Sequence, residues 1–286
     1  MIELAAGEES GLYALGFAGN SFNTAIYLAR AGLDVSYLTR LGDDALSRDI
    51  VATLTDENVG TDRVQYSKDR QPGLYLISND ADGERHFSYW RDTAPVRELF
   101  DAPVSLNDAD VFYFTGITLA VTRSGQTHLL QLLDALRARN CRIVFDPNFR
   151  PRLWDGIEQA REHTRAILPF CHTVLPTLDD ERELWNVAGV DDCRALYADL
   201  GVEEIVIKGD DLTTHFFAAR EEYMQAAAPV HALDTTGAGD SFNAGYLTAR
   251  LQGANARDAI TQAQELSAAV VQHRGAILPR NQGSKN

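Results

Sequence analysis

From residue 108 onward, short β-branched and aromatic runs alternate with longer amphipathic stretches, and this rhythm admits few architectures. Val111-Phe112-Tyr113-Phe114-Thr115, Arg142-Ile143-Val144-Phe145-Asp146, Thr173-Val174-Leu175 and Glu204-Ile205-Val206-Ile207-Lys208 are nearly continuous apolar runs. Strands buried on both faces read this way. Between the first two, Ser124 to Arg139 gathers Leu129, Leu130, Leu132, Leu133 and Leu136 on one side, as a helix would. Further helices are expected near Gly156 to Leu168, from Leu178, and near Cys193. Parallel strands need such crossovers, so the fold class is α/β: a mainly parallel sheet flanked by helices, with ligands beyond the carboxyl ends of the strands. The uncharged run from Val111 to Thr122 reads as one buried strand.

Two earlier segments break the rhythm. Residues 7–17 and 71–91 alternate apolar and polar positions, with Leu74 and Leu76 in one run, Phe87 and Tyr89 in another, and Asp82-Gly83 as a turn between them. A small antiparallel β lid, formed by about residues 5–17 and 71–92, is the expectation. The whole chain, 1–286, then makes one domain with no repeat or linker.

Composition narrows the partners. Acidic residues number 41 against 26 basic ones, a formal net charge of −15. That balance repels a phosphate backbone, and no local basic patch offsets it, so nucleic acid is not an expected partner. The longest apolar run is too short to cross a bilayer, and Met1-Ile2-Glu3-Leu4 has no basic segment leading into an apolar core. No membrane association and a cytoplasmic location are expected. Cys141, Cys171 and Cys193 lack zinc spacing and read as reduced thiols.

The most chemically informative stretch is Asp234-Thr235-Thr236-Gly237-Ala238-Gly239-Asp240-Ser241-Phe242. Glycines around an alanine allow a tight turn with exposed N–H groups, and a helix beginning near Asp240 would attract anions at its N-terminus. An aspartate there can take a proton from an attacking hydroxyl while the amides stabilise phosphoryl oxygens. Taken alone, the Gly-Ala-Gly-Asp string is equally a turn and a helix cap.

The longer string resembles the second signature of the ribokinase-like (PfkB) carbohydrate kinases, and other segments follow in order. Ala18-Gly19-Asn20-Ser21-Phe22-Asn23 resembles the first signature, Leu41-Gly42-Asp43-Asp44 the next helix start, and Asp146-Pro147-Asn148-Phe149-Arg150 the strand end Asp-x-Asn-x-Arg. Within the family, Pro72-Gly73-Leu74-Tyr75, Phe87-Ser88-Tyr89-Trp90-Arg91 and the run from Asp146 to Trp154 are most similar to the 2-keto-3-deoxygluconate kinases. The resemblance implies transfer of the γ-phosphoryl group of ATP to the terminal hydroxyl of that sugar acid.

It also implies roles. Asp240 is the base, and the amides of Gly237, Ala238 and Gly239 form the anion hole. Gly19, Asn20, Asn23, Tyr75, Tyr89, Arg91 and Arg150 surround the sugar acid; arginine presents a planar fork to a carboxylate, and tyrosine a hydroxyl with an apolar flank. Asn148, Lys208, Thr235, Thr236 and Ala269 join Gly237 and Gly239 around the nucleotide. Asp180 serves Mg2+ through water, and Asp234 with Thr236 a monovalent cation, K+. Lid sheets of this type imply a homo-oligomer. Packing or surface solvation accounts equally well for Tyr75, Tyr89 and Arg91, and an acidic first helical turn for Asp179, Asp180 and Glu181.

Several positions depart from the family pattern. Ala18 stands where glycine is usual, Asn20 where aspartate is, Thr177 where asparagine opens the Asn-x-x-Glu motif, and Gly209 one place early after Lys208. A fructokinase- or ribokinase-like kinase of neutral sugars, and a non-catalytic sugar-acid sensor, therefore remain alternatives. Relatives begin with a further strand ahead of the Met-Ile-Glu-Leu segment, so a vacant sheet position is expected beside Val111–Thr115 or Arg142–Asp146.

Overall fold

The computed structural model describes residues 1–7, 11–79 and 85–280. The Asp82-Gly83 turn lies outside them. The first part of the chain runs β1 (Ile2–Ala6), β2 (Tyr13–Phe17), α1 (Asn20–Arg30), β3 (Thr39–Gly42), α2 (Ala45–Asp56), β4 (Val64–Ser67), β5 (Leu74–Asn79) and β6 (Arg85–Trp90). The middle continues with β7 (Val111–Thr115), α3 (Gly116–Val121), α4 (Gln126–Ala138), β8 (Arg142–Asp146), α5 (Ile157–Ile167), β9 (Thr173–Val174), α6 (Leu178–Trp185) and α7 (Val190–Asp199). The end comprises β10 (Glu204–Lys208), β11 (Thr213–Ala218), β12 (Glu221–Ala226), α8 (Ala238–Leu251) and α9 (Ala256–Val271).

A six-stranded sheet in the order β12-β11-β10-β9-β8-β7 forms the centre. Strands β7 to β10 are parallel, as their apolar runs require, and β11 and β12 add an antiparallel edge. Alternation along β8 divides the core: Ile143 and Phe145 pack with Leu129 and Leu133 of α4, and Val144 packs with Phe242 and Tyr246 of α8 and Ile260 of α9. All three β8 side chains are fully buried, each contributing roughly 1.5–3 kcal/mol of transfer free energy.

The lid is a four-stranded sheet, β2-β1-β5-β6. It consists of two antiparallel pairs joined by parallel pairing of β1 with β5, and its first strand starts at Ile2, ahead of the expected boundary. Strands β3 and β4 form a separate parallel pair. Strand β7 is an edge of the central sheet, whereas β8 is paired on both sides, so no vacancy lies beside Arg142–Asp146. No described helix is long and apolar enough to cross a membrane.

The run from 111 to 122 is not one strand. It turns into α3 at Gly116, where any Cβ would run into the Pro147 carbonyl, and the Thr115 hydroxyl accepts from Thr118 N at 3.3 Å to cap the new helix. A hydropathy run contains no record of that close approach, which depends on the loop after β8.

Candidate active site

The C-terminal motif folds into a turn leading straight into α8. Gly237 sits at φ 78°, and a Cβ there would lie 2.8 Å from Ala276 Cβ and 2.9 Å from Ala276 Cα. Only glycine combines that backbone with that contact. Asp234 holds the turn from below. Its Oδ1 accepts from Thr236 N (3.0 Å) and Thr236 Oγ1 (2.7 Å), and its Oδ2 accepts from Gly275 N at 2.7 Å. The Ala238 amide donates to Thr235 O at 3.2 Å, so it is not one of the free donors expected of the anion hole. The amides of Gly237, Gly239 and Asp240 have no acceptor among the described residues. Open space adjoins Gly239. Thr235 is exposed, and Ala269 lies in the last turns of α9, ahead of the Gly275-Ala276 loop that packs on Gly237.

Asp240, in the first turn of α8, is buried at 8% exposure. Burial pushes its carboxyl from 3.8 up to about 7; Asn23 draws it down by a hydrogen bond, Asp146 raises it, and Lys208 and Arg150 lower it through their charges. Asn23 Nδ2 donates to Asp240 Oδ2 at 2.7 Å. Asn23, expected at the sugar, is thus in direct contact with the candidate base. Gly19 begins α1 beside it, its N–H donating to Asn23 Oδ1 at 3.3 Å. Asn20 is also engaged locally: Oδ1 accepts from Ser21 N and Nδ2 donates to Thr115 Oγ1, both at 2.7 Å. Its acceptor thus also caps the start of α1.

Beyond Asp240 lies a polar network on the carboxyl ends of β7, β8 and β10. Asn243 Nδ2 donates to Asp146 Oδ2 (2.9 Å) and Tyr113 Oη (3.1 Å), and its Oδ1 accepts from Lys208 Nζ (3.0 Å). Lys208 Nζ also donates to Leu175 O at 2.6 Å and lies 3.7 Å from Asp146 Oδ1. Asn148 has a positive φ of 34° and a buried Oδ1 with no partner, an acceptor free for a ligand. Asn243, Tyr113 and Thr115 were not singled out from sequence, and Asp146 entered only as the first residue of the Asp-x-Asn-x-Arg strand end. One signal was available for Asn243: it follows Asp240 by one turn on the same helical face.

The lid supplies aromatic residues and a cation. Tyr75 is buried, its hydroxyl donates to Glu3 Oε2, and burial raises its pKa, with the Glu3 charge adding to the rise. The Tyr75 and Tyr89 rings lie 6.0 Å apart, and the Arg91 guanidinium sits 4.1 Å above Tyr89. Arg91 has no carboxylate partner among the described residues, and burial lowers its pKa, a cost that an anion would relieve. Arg150, expected beside the sugar acid, is paired with an acidic side chain. Its Nη1 donates to both Asp180 oxygens at 3.1 Å and to Phe149 O at 2.6 Å. Asp180, at the start of α6, has its pKa raised by burial, with Arg150 opposing the rise. Its neighbour Glu181 turns into the core, accepts from Tyr197 Oη at 2.7 Å, and is pushed up to about 8 by burial.

Comparison with known proteins adds to this geometry. Residues 8–282 match the pfkB family of carbohydrate kinases. The chain is 38% identical over 279 residues to the 2-dehydro-3-deoxygluconokinase of Dickeya dadantii (strain 3937), covering 92% of this chain and 90% of that one. It is 37% identical over 295 residues to the enzyme of the same name from Escherichia coli (strain K12), covering 98% and 95%. A crystal structure of aminoimidazole riboside kinase from Salmonella enterica, complexed with aminoimidazole riboside and an ATP analog, superposes with a TM-score of 0.83 at 22% identity, covering 96% and 92%. That last likeness establishes the fold.

Proposed function

Because the chain belongs to the pfkB family of carbohydrate kinases, we propose that it transfers the γ-phosphoryl group of ATP to the terminal hydroxyl of 2-keto-3-deoxygluconate, giving the 6-phosphate and ADP. One observation carries this reading: a buried carboxylate raised toward neutrality stands in the first turn of α8, beside amides of Gly237 and Gly239 that meet no acceptor among the described residues. The relatives bearing the 2-dehydro-3-deoxygluconokinase name support the choice of acid.

Arg91, stacked on Tyr89, receives the substrate carboxylate, and Tyr75 flanks the sugar carbons. The chain's far hydroxyl reaches Asp240. Asp240 accepts the hydroxyl proton as the oxygen bonds to the γ-phosphorus and the bond to the β–γ bridging oxygen breaks; ADP leaves. Amides of Gly237 and Gly239 meet the equatorial oxygens, where the growing charge is best stabilised. Asn23 orients Asp240, and Asn243 fixes Lys208 near the phosphates. Closure of the lid keeps water from competing for the phosphoryl group.

Family membership implies a divalent ion with the nucleotide. No cluster of three or more His, Cys, Asp or Glu suited to a metal occurs among the described residues. Mg2+, held mainly by phosphates and water, needs no such cluster; Asp180 and the unpartnered Asn148 Oδ1 are the protein oxygens that fit it. When bound, the ion neutralises phosphate charge. Asp234 and Thr236 carry the K+ reading, although both already bond within their loop. The face of the lid opposite Tyr75 and Tyr89 exposes Tyr13, Leu15 and Trp90, an apolar surface suited to pairing two lids in a homodimer.

The Arg150–Asp180 pair favours a second reading, a kinase of neutral sugars, because it removes one cation from the carboxylate's reach. An ATP-coupled assay across sugar acids and neutral sugars separates them. Turnover of 2-keto-3-deoxygluconate well above fructose and ribose is expected; equal or better turnover of the neutral sugars sinks the sugar-acid reading.

A further inference from the structure

A cavity of about 380 Å³ lies apart from the catalytic floor, between the helical turn Pro95–Glu98, the end of α3 with the turn Arg123–Gly125 that follows it, and α5. Arg97, Val121, Arg123, Ser124, Gln159 and His163 line it. We propose that this cavity is a second ligand site, taking a small phosphate monoester. Arg97, Arg123 and His163 hold the phosphate, and Val121 meets a short carbon body.

Two cations converge there from separate elements. Arg97 is only partly exposed, yet its guanidinium has no carboxylate partner among the described residues; the adjacent Glu98 pairs with Arg40 and Arg70 instead. Arg123 is aimed by its Nη1, which donates to Ala120 O at 3.0 Å and Leu153 O at 3.1 Å. Its Nη2 reaches Asp155 Oδ1 only at 3.4 Å, so the fork is held in place with donors to spare.

His163 supplies the third contact. Its Nδ1 is buried with no partner among the described residues, and its ring lies against Trp154 with centroids 5.5 Å apart. Burial lowers the pKa of the ring, with Glu162 opposing the shift and the Arg123 charge adding to it. The imidazole is therefore mainly neutral at pH 7, and the tautomer with its hydrogen on Nδ1 donates to an anion. Ser124 and Gln159 are already engaged. Ser124 Oγ donates to Asp101 Oδ1, and the Gln159 amide bonds Asp155 through both its ends, all at 3.1 Å, so these two shape the wall.

The donor set selects the ligand. A carboxylate offers two oxygens, whereas three donor groups arriving from three elements match the three terminal oxygens of a phosphate monoester. The volume falls within the range of small-molecule sites and exceeds what a bare oxyanion fills. Asp101 and Asp155, bonded to the wall, oppose the higher charge of a di- or triphosphate. The site also stands one short helix from the chemistry: α3 begins at Gly116, packed on Pro147, and its last residue, Val121, lines the cavity. The turn carrying Arg97 follows β6 and Arg91, so a ligand here braces the root of the lid against α3 and α5.

The test uses the whole protein with isotope-labelled histidine, the His163 imidazole signal being assigned by its loss in His163→Gln. sn-Glycerol 3-phosphate should move that signal saturably, inorganic phosphate more weakly, and glycerol not at all. Arg97→Ala should weaken the glycerol phosphate response by at least roughly tenfold with circular dichroism unchanged, and Arg97→Lys, which keeps the charge but loses the fork, should fall between. Gly237→Ala, which obstructs the turn before α8, should leave the response intact. A His163 signal indifferent to glycerol phosphate, equal binding of inorganic phosphate, or an Arg97→Ala variant that binds as tightly as wild type would each overturn the proposal. Loss of the response in Gly237→Ala would overturn it too, by assigning the phosphate to the anion hole.

Discussion

Replacing Asp240 by asparagine should disable catalysis and stabilise the fold, with a pH dependence that identifies the cause. The carboxyl is 8% exposed and its pKa stands at about 7 against an ordinary 3.8. Because the folded-state pKa is raised, the folded protein binds the extra proton. That contribution is fully present below about 4 and is lost as pH rises through about 7. At about 1.4 kcal/mol for each tenfold change in the proton equilibrium, the full difference is about 4 kcal/mol at pH 8. Asparagine keeps the shape and the contact with Asn23 without the charge, so Asp240→Asn should melt higher than wild type at pH 8 and similarly at pH 4. If only half the difference is realised, the midpoint still moves by about 4 °C.

Turnover should move the other way. Loss of a positioned base lowers kcat by roughly 10²–10⁴, and the wild-type rate should rise through an apparent pKa of about 7. Paired assays at pH 5 and pH 8, thermal melts and ATP-coupled kinetics on the same preparations, suffice. A variant no more stable than wild type at pH 8 would show that burial does not hold the carboxyl up. A variant retaining most of its turnover would remove Asp240 from the chemistry.

Asn23→Ala should shift the pH–rate profile to higher pH, because the bond that draws the Asp240 pKa down is gone; circular dichroism should stay unchanged. Gly237→Ala should cost about 1–3 kcal/mol in denaturant melts and raise the KM for ATP, since φ 78° and the 2.9 Å approach to Ala276 Cα both resist a methyl group. Arg91→Ala should weaken sugar-acid binding by about 1.5–3 kcal/mol, read as KM, while leaving neutral sugars unaffected. Trp90→Glu, on the exposed lid face, should give a monomer by light scattering if that face pairs two copies.

The parts of the site that were legible are those in which chemistry is contiguous. The turn from Asp234 to Asp240 contains its own glycine, its own tie and its own helix start, so its string implies its shape. The contact of Asn20 with Thr115 was not legible, because that partner arrives from a strand end distant in sequence. Arg150 was expected beside the sugar acid; its pairing with Asp180, from the start of α6, was not legible because it forms only on folding. Asn243 was not chosen, since its contacts exist only where Tyr113, Asp146 and Lys208 converge. The parallel sheet was readable from hydropathy alone; the break at Gly116 was not, because it arises from contact with the Pro147 carbonyl.

Asp234 joins two loops that would flank a nucleotide, the turn before α8 and the loop after α9, through Thr236 and Gly275. Gly237 and Ala276 close the remaining gap. The two loops are therefore tied to each other, and opening of the site is expected to fall to the lid hairpins. In many enzymes such opening, rather than chemistry, limits turnover. Throughput is then expected to follow the friction of the medium, falling as sucrose or glycerol thickens it, even though no atom of the reacting groups has been touched.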